Sequence, residues 1–430
     1  MKQYTVIIIG AGGRGYNYAQ QMLLLPDKYK VIGVADPIKE RRDDVKHMHN
    51  IPDENCFDSW EAILDKEKFA DIAVISTMDH MHYEPAMKAI ELGYNLLLEK
   101  PVAQTAEECL DIALAAKKHH VEVLVCHVLR YTPFYSTIKK LLLDDTIGKV
   151  MSVVAVEAVG HIHYSHSYTR GDWHREDEAT PMLLAKCCHD LDIIQWLIGK
   201  NCKKVSSFGE LTHFTPDNAP AGAPKRCIDN KCPAESTCPY HYKKIYLQED
   251  SAYWWRNTVA RGYSKGYMAE DDEVVMGLKN TNFGSCIYHA GNDVVDHQVV
   301  NMEFEGGATA SLTMNAFNEG GRYIRIFGTK GELYANASDA EIIVFPFDKL
   351  ERVSIPITQI GDSIMDGHGG GDFGIIAEMY DYFSGSYKGY CAANIDVSVQ
   401  NHLTGFAAEK ARRNDTVEYI DKYIETLMHK

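Results

Sequence analysis

The sequence predicts an α/β chain in two parts: a doubly wound parallel sheet, followed by an α+β domain with a large, mainly antiparallel open sheet. Three observations carry this. Apolar strand patterns alternate with helix patterns through the first quarter of the chain. The first strand runs into a glycine-rich bend. Beyond Ile147-Gly148 most of the helices drop out, leaving strands joined by turns. Strand–helix alternation implies a parallel sheet with ligands at the strands' carboxyl ends, whereas strands in series favour an antiparallel sheet.

In order, Val6-Ile7-Ile8-Ile9 reads as a buried strand, Gly10-Ala11-Gly12-Gly13-Arg14-Gly15 as a tight turn, and Tyr16 to Leu25 as a helix. Val31 to Ala35 is a second strand ending in Asp36. Trp60 to Leu64 is a short helix, Ile72 to Thr77 a strand, and Tyr83 to Leu92 a helix stopped at Gly93. Asn95 to Leu98, Ala106 to His119 and Val121 to Cys126 continue the alternation. In the second part, strands are expected at Val150–Val159, Lys204–Phe208, Gly284–His289, Val299–Phe304, Ala308–Met314, Tyr323–Phe327 and Leu333–Ala335. One helix is expected near 181–198, and two more near 373–385 and 398–412.

A chain of 430 residues exceeds what one core usually supports, and we place the division at 1–128 and 129–430. The net charge of −16 and the lack of basic clusters argue against nucleic-acid or membrane partners. No apolar run is long enough to span a bilayer, and the first strand leaves no room for a signal peptide. Eleven cysteines, mostly scattered through apolar segments, suit a reducing cytoplasm better than a disulfide scaffold. A cytoplasmic location is therefore expected.

Gly10, Gly12 and Gly15 stand in G-x-G-x-x-G register between a strand and a helix. In that context the glycines allow a tight turn, close approach of backbone to a pyrophosphate and close helix–strand packing. The helix N-terminus favours the phosphate charge. Asp36 lies where an acid would hydrogen-bond a ribose 2′-OH, which points to NAD rather than NADP, although Arg41 and Arg42 stand nearby.

Glu99-Lys100-Pro101 follows a strand at the same crevice. Pro101 biases Lys100 away from the helical region, so its ammonium can project from the sheet end toward a substrate hydroxyl. The helix opening at Thr180-Pro181 would carry Ala185, His189, Asp192 and Trp196 on one stripe, with Lys186 beside His189. His189 suits a proton acceptor because its free pKa lies near working pH; the alternative is a buried histidine satisfied by Asp192.

Together the glycine turn, Asp36, Thr77 with His82, Glu99-Lys100-Pro101, Ile147-Gly148 and His189-Asp190-Leu191-Asp192 resemble the Gfo/Idh/MocA oxidoreductase family over nearly the whole chain. The resemblance implies a Rossmann domain followed by an α/β domain whose open sheet faces the nicotinamide and often mediates oligomerisation. It implies hydride transfer at a sugar, polyol or glycoside carbon, and hence a small carbohydrate substrate and a homo-oligomer, dimer or tetramer. It gives Lys100 and His189 the catalytic positions. It places Gly10, Gly12, Gly13, Arg14, Gly15 and Asp36 at the cofactor, with Thr77, His82 and Glu99 toward the nicotinamide half. Many members carry an aspartate four residues before the histidine; this chain has Ala185 there, with Lys186 next to it. Two alternatives stay open: transient oxidation of a glycoside with recycled NAD, and a non-catalytic NAD-binding regulator.

His161, His163, His166, Tyr168, Arg170, Asp172, Trp173 and Arg175 crowd what reads as one loop. Aromatic faces and fixed polar donors suit a pyranose ring, which makes His166, Tyr168, Arg170, Trp173 and Lys186 the substrate candidates. His368-Gly369-Gly370-Gly371-Asp372 is either a hinge or a means of bringing Asp372 to the pocket. An insertion at about 209–262 holds Cys227, Cys232 and Cys238, whose spacing matches none of the strong metal motifs, and no metal ligands are assigned.

Overall fold

The computed structural model describes residues 2–229, 231–249, 251–263, 268–357 and 369–429. The first part runs β1 (Tyr4–Ile9), α1 (Gly13–Leu23), β2 (Tyr29–Ala35), α2 (Lys39–His49), β3 (Cys56–Phe57), α3 (Trp60–Leu64), β4 (Ile72–Ile75), α4 (Tyr83–Glu91), β5 (Asn95–Leu98), α5 (Ala106–His119) and β6 (Val123–Val125). Its six parallel strands lie in the order β3-β2-β1-β4-β5-β6, so the chain reverses direction across the sheet between β1 and β4. The central strands are continuous apolar runs because helices cover both faces, and β4 is buried at every residue. The reversal opens a crevice at the carboxyl ends of β1 and β4, where the glycine turn sits.

The second part adds α6 (Pro133–Leu143), β7 (Val150–Ala158), α7 (His161–Tyr164), α8 (Met182–Ala185), α9 (Cys188–Ile198) and β8 (Cys202–Glu210). Next come α10 (Tyr242–Tyr246), α11 (Tyr253–Val259) and α12 (Asp271–Asn280), which form the insertion and its return. Six strands follow: β9 (His297–Phe304), β10 (Thr309–Asn315), β11 (Gly321–Gly328), β12 (Gly331–Asn336), β13 (Glu341–Pro346) and β14 (Val353–Pro356). The chain closes with α13 (Gly371–Phe383), α14 (Ile395–Asn414), β15 (Glu418–Tyr419) and α15 (Ile420–Met428). The sheet order is β14-β13-β12-β11-β7-β10-β9-β8-β15, antiparallel except where β7 lies beside β10.

Three expectations need correction. The segment 181–198 is two helices, broken at Lys186-Cys187, so Ala185 and His189 do not share one continuous stripe. Gly284–His289 is no strand: a 3₁₀ turn ends at Gly284, and only one isolated bridge joins Ser285 to Arg226. The histidine-rich stretch is helical, with α7 continuing into a π-turn over Ser165–Arg170. The last helices also return to the first sheet. Asn394 bridges Leu124, and the Val125 N–H donates to the Ala393 carbonyl (2.9 Å). No helix among the described residues is long and apolar enough to cross a membrane.

Candidate active site

The glycine turn is shaped for an anion. Gly10 has φ +89°, and a Cβ there would lie 2.6 Å from the Ser76 carbonyl oxygen. At Gly15 a Cβ would collide with the Gly10 carbonyl, so α1 packs against β1 only because that side chain is missing. At Gly13 a Cβ would meet nothing within 4 Å, which leaves bare backbone facing open space. The helix α1 opens on Gly12 with no side-chain cap and no acid in its first turn. Unclaimed N–H groups at the positive end of a helix dipole fit a pyrophosphate. Asp36 accepts the Ala11 N–H (2.8 Å) and the Ile38 N–H (2.9 Å), which fixes the turn while leaving carboxylate lone pairs for a ribose hydroxyl. Arg42 binds the Asp36 carbonyl, and Arg41 stands 4.0 Å from the carboxylate.

Arg14 sits in the first turn of α1, but its side chain is engaged within the protein. The guanidinium donates to Glu99 (2.7 Å), to the Tyr18 hydroxyl (2.5 Å) and to both oxygens of Asp372 (2.8 Å each). Tyr18 in turn donates to Glu99 (2.5 Å). Burial works to raise Glu99, yet Arg14 and Lys100 hold it below the usual carboxylate range. Asp372 thus reaches the cofactor crevice from the start of α13, as a clamp on Arg14; His368 lies outside the described residues.

Lys100 follows β5 through a cis bond to Pro101. Its Nζ donates to the Ala185 carbonyl (3.2 Å), at the end of α8 and four residues before His189. The break between α8 and α9 therefore places that carbonyl where the lysine ends, and His189 opens the next helix, buried, with its ring 6.1 Å from that of His127. Asp192 does not serve His189: it takes a two-pronged bond from Arg130 (2.6 and 2.7 Å) and one from Asn401 (2.9 Å). His402 accepts the Val102 N–H (3.0 Å) and donates to the Ser398 carbonyl (2.7 Å), so α14 holds the loop after Lys100 through a neutral imidazole. Burial pushes His402 down to about 3, consistent with that tautomer.

Beside Lys186 opens a cavity of about 430 Å³ whose lining includes Phe134, Tyr135, Glu157, His163, Lys186 and Arg322. Glu157 and Arg322 are direct cross-strand partners on β7 and β11, joined at 2.6 Å. Arg322 also binds Asp190 (2.9 Å), and Lys186 stands 3.5 Å from Glu157. Burial raises Glu157 and lowers Lys186. The lining combines aromatic surface with opposed charges, a surface suited to a polyhydroxylated ligand.

The other expected residues divide. Trp173 donates its indole N–H to Asp79 (3.0 Å), at the end of β4 and across the crevice from its own segment. Tyr168 is buried with its ring 6.3 Å from that of Trp173. His166 and Arg170 are placed away from the cavity. His166 stacks on Phe283, bonds the Tyr246 hydroxyl (3.1 Å) and is pushed by burial down to about 3. Arg170, only 2% exposed, donates to the carbonyls of Ser285 (2.8 Å) and Tyr240 (2.9 Å). Both tie the insertion down, because the π-turn aims these positions at it. Thr77 donates to the Met81 carbonyl (2.9 Å), and His82 lies between the carbonyls of Pro101 (2.7 Å) and Thr77 (3.2 Å), holding two strand ends together. The described cysteines are all free thiols. Among the described residues no group of three His, Cys, Asp or Glu side chains could hold a metal ion.

Sequence reasoning missed Glu157 and Arg322, and gave Asp79 and His127 no role although both lie in the strand-end stretches Thr77–His82 and His127–Arg130. The Glu157–Arg322 pair joins residues far apart in the chain and needs the sheet register. Those two stretches had a signal, since each stands at the carboxyl end of a predicted parallel strand.

Comparison with known proteins agrees with this architecture. Residues 4–127 match the NAD-binding Rossmann-fold domain of the oxidoreductase family Gfo/Idh/MocA, and residues 139–360 match that family's C-terminal alpha/beta domain. The oxidoreductase YteT of Bacillus subtilis (strain 168) is 23% identical over 400 residues, covering 87% of this chain and 88% of its own. The 2,7-anhydro-N-acetylneuraminate hydratase of Escherichia coli (strain K12) is 26% identical over 213 residues, 49% of this chain and 54% of its own. A levoglucosan dehydrogenase solved with NADH and levoglucosan superposes with a TM-score of 0.70 at 16% identity, over 97% of this chain and 100% of the other. The glycine crevice, the two-sheet architecture and both domain matches make this chain a member of the Gfo/Idh/MocA oxidoreductase family.

Proposed function

We propose that this protein is an NAD-dependent dehydrogenase that oxidises a secondary alcohol carbon of a sugar, polyol or glycoside. One observation carries the reading: Lys100 ends against the carbonyl four residues before His189, between the glycine crevice and a cavity suited to a polyhydroxylated ligand. The solved levoglucosan dehydrogenase supports the substrate class by likeness of fold.

The uncapped start of α1 and the backbone at Gly12 and Gly13 would hold the pyrophosphate, and Asp36 the adenosine ribose. The bound dinucleotide supplies the hydride acceptor. Lys100 donates a hydrogen bond to the substrate oxygen, and His189 takes the hydroxyl proton as the C–H bond is broken. Lys186, Glu157 and Arg322, which line the cavity, bond the remaining hydroxyls. The acid at position 36 favours NAD over NADP. On the outer face of the second sheet Val154, Phe208 and Tyr334 stand exposed, which supports self-association into a dimer or tetramer.

A redox-neutral reaction, with the hydride returned to the substrate after elimination or hydration, is the second reading. It is favoured by likeness to a hydratase over half the chain. Anaerobic incubation with NAD and a panel of sugars, polyols and glycosides separates the two. Reduced nicotinamide accumulating in proportion to product supports the dehydrogenase. Product without net reduced cofactor overturns it in favour of the redox-neutral cycle.

A further inference from the structure

Asp79 is a buried carboxylate that the reaction described above does not use. It opens a 3₁₀ turn beyond β4, is 7% exposed, and has no cation within ion-pair distance among the described residues. Among the described residues its one side-chain hydrogen bond is from the indole N–H of Trp173, which arrives from the second part of the chain. A carboxylate kept this far from water is costly unless something nearby repays it. The charges that face it come from every element around it. Lys100 and Glu99 stand at the end of β5, His82 on its own segment, Tyr168 on the π-turn and Cys188 at the start of α9. Lys100 is the strongest of the attractive charges, and its Nζ spends one hydrogen bond, on the Ala185 carbonyl.

We propose that Asp79, as a carboxylate, is the positioning residue that couples Lys100 to Trp173, holding the indole by a hydrogen bond from the second part of the chain while its charge faces the ammonium. The inference rests on the dehydrogenase reading for its consequence, but its physical core concerns this chain alone. Asp79 bridges the two parts of the chain across the crevice, so its ionisation sets both how Lys100 is aimed and whether Trp173 closes against it. Burial raises Asp79 above the ordinary aspartate value of about 3.9, and Lys100 opposes that rise. Below its midpoint the carboxylate is neutral, the attraction to Lys100 is lost and the hydrogen bond to Trp173 weakens. Catalytic efficiency therefore falls on the acid side as Asp79 takes up a proton.

The test reads the Trp173 indole N–H resonance in the full-length protein, assigned by its loss in Trp173→Phe and followed over pH. The resonance is expected to titrate with a midpoint above about 3.9 and to lose that titration in Asp79→Asn. In Lys100→Met the midpoint is expected to move upward, because the opposing cation is gone. A resonance that does not titrate, or a midpoint unmoved in Lys100→Met, overturns the coupling whether or not a substrate is known. With a substrate in hand, Asp79→Asn is expected to lower kcat at least about tenfold and displace the acid limb of kcat/KM, with Asp79→Glu recovering part of both. Equal loss in both variants with an unchanged pH profile assigns Asp79 a purely structural role and overturns the proposal. Failure of every carbohydrate in the panel would count against the dehydrogenase reading alone, since the resonance experiment stands without turnover.

Discussion

Two charged clusters flank the crevice, and they are built on opposite terms. Around Arg14 the bonding is saturated: Glu99, Tyr18 and both oxygens of Asp372 close on one guanidinium, joining α1, the end of β5 and α13. Around Lys100 it is sparser: among the described residues its Nζ makes one bond, to a backbone carbonyl, while the Glu99 and Asp79 carboxylates and the His127 ring feel its charge. Charges whose hydrogen-bonding capacity is spent internally hold a structure together; charges with capacity to spare are free to meet a substrate. On the proposed reading, the difference separates scaffold from chemistry within a single crevice.

The largest effect expected follows from the sparse cluster. Lys100→Met should lower kcat/KM by about 10³-fold while NAD binding, read by calorimetry, persists. A loss of NAD affinity to match would move Lys100 into the scaffold. The saturated cluster should behave conversely. Arg14→Ala strands two buried carboxylates and should cost about 3 kcal/mol of stability, measured by urea unfolding. A drop in activity without destabilisation would show that Arg14 acts on the ligand directly.

Smaller effects sharpen the same contrast. Arg170→Met removes charged hydrogen bonds to the Ser285 and Tyr240 carbonyls and should destabilise by about 2 kcal/mol with kcat little changed. Glu157→Gln should raise KM by about tenfold with a lesser effect on kcat, since it touches the cavity rather than the reacting centre. The buried imidazoles give a pH signature. His402 and His166 are pushed down to about 3, so the folded chain keeps them neutral while the unfolded chain protonates them. Their contribution to stability is intact above the unfolded value of about 6.5 and is lost as pH falls from there toward 3, by about 1.4 kcal/mol per unit for each group. His402→Gln should flatten that slope by one such share, read from thermal unfolding at several pH values.

The first half of the crevice was legible in the sequence because its information is local. Gly10, Gly12, Gly15 and Asp36 lie within one βαβ unit, and Lys100 directly follows a strand. The Arg14 side chain was not legible in the same way, since its partner Asp372 reaches it from 358 residues away. The helix of 181–198 read as one segment because its apolar pattern continues through the break. The break itself comes at Lys186-Cys187, where a buried lysine turns toward Glu157. His166 and Arg170 have the composition of a sugar site, but composition does not tell which way a π-turn points its side chains. The Glu157–Arg322 pair depends on strand register and has no signature in either segment alone.

The most direct measurement follows the label from an alcohol deuterated at the reacting carbon, with NAD present and the dinucleotide recovered for mass spectrometry. Deuterium on the nicotinamide in the wild-type protein, and none above background in Lys100→Met with cofactor still bound, is the result expected if the sparse cluster performs the chemistry. Product formed with no deuterium ever reaching the cofactor, or equal transfer in both proteins, would contradict it.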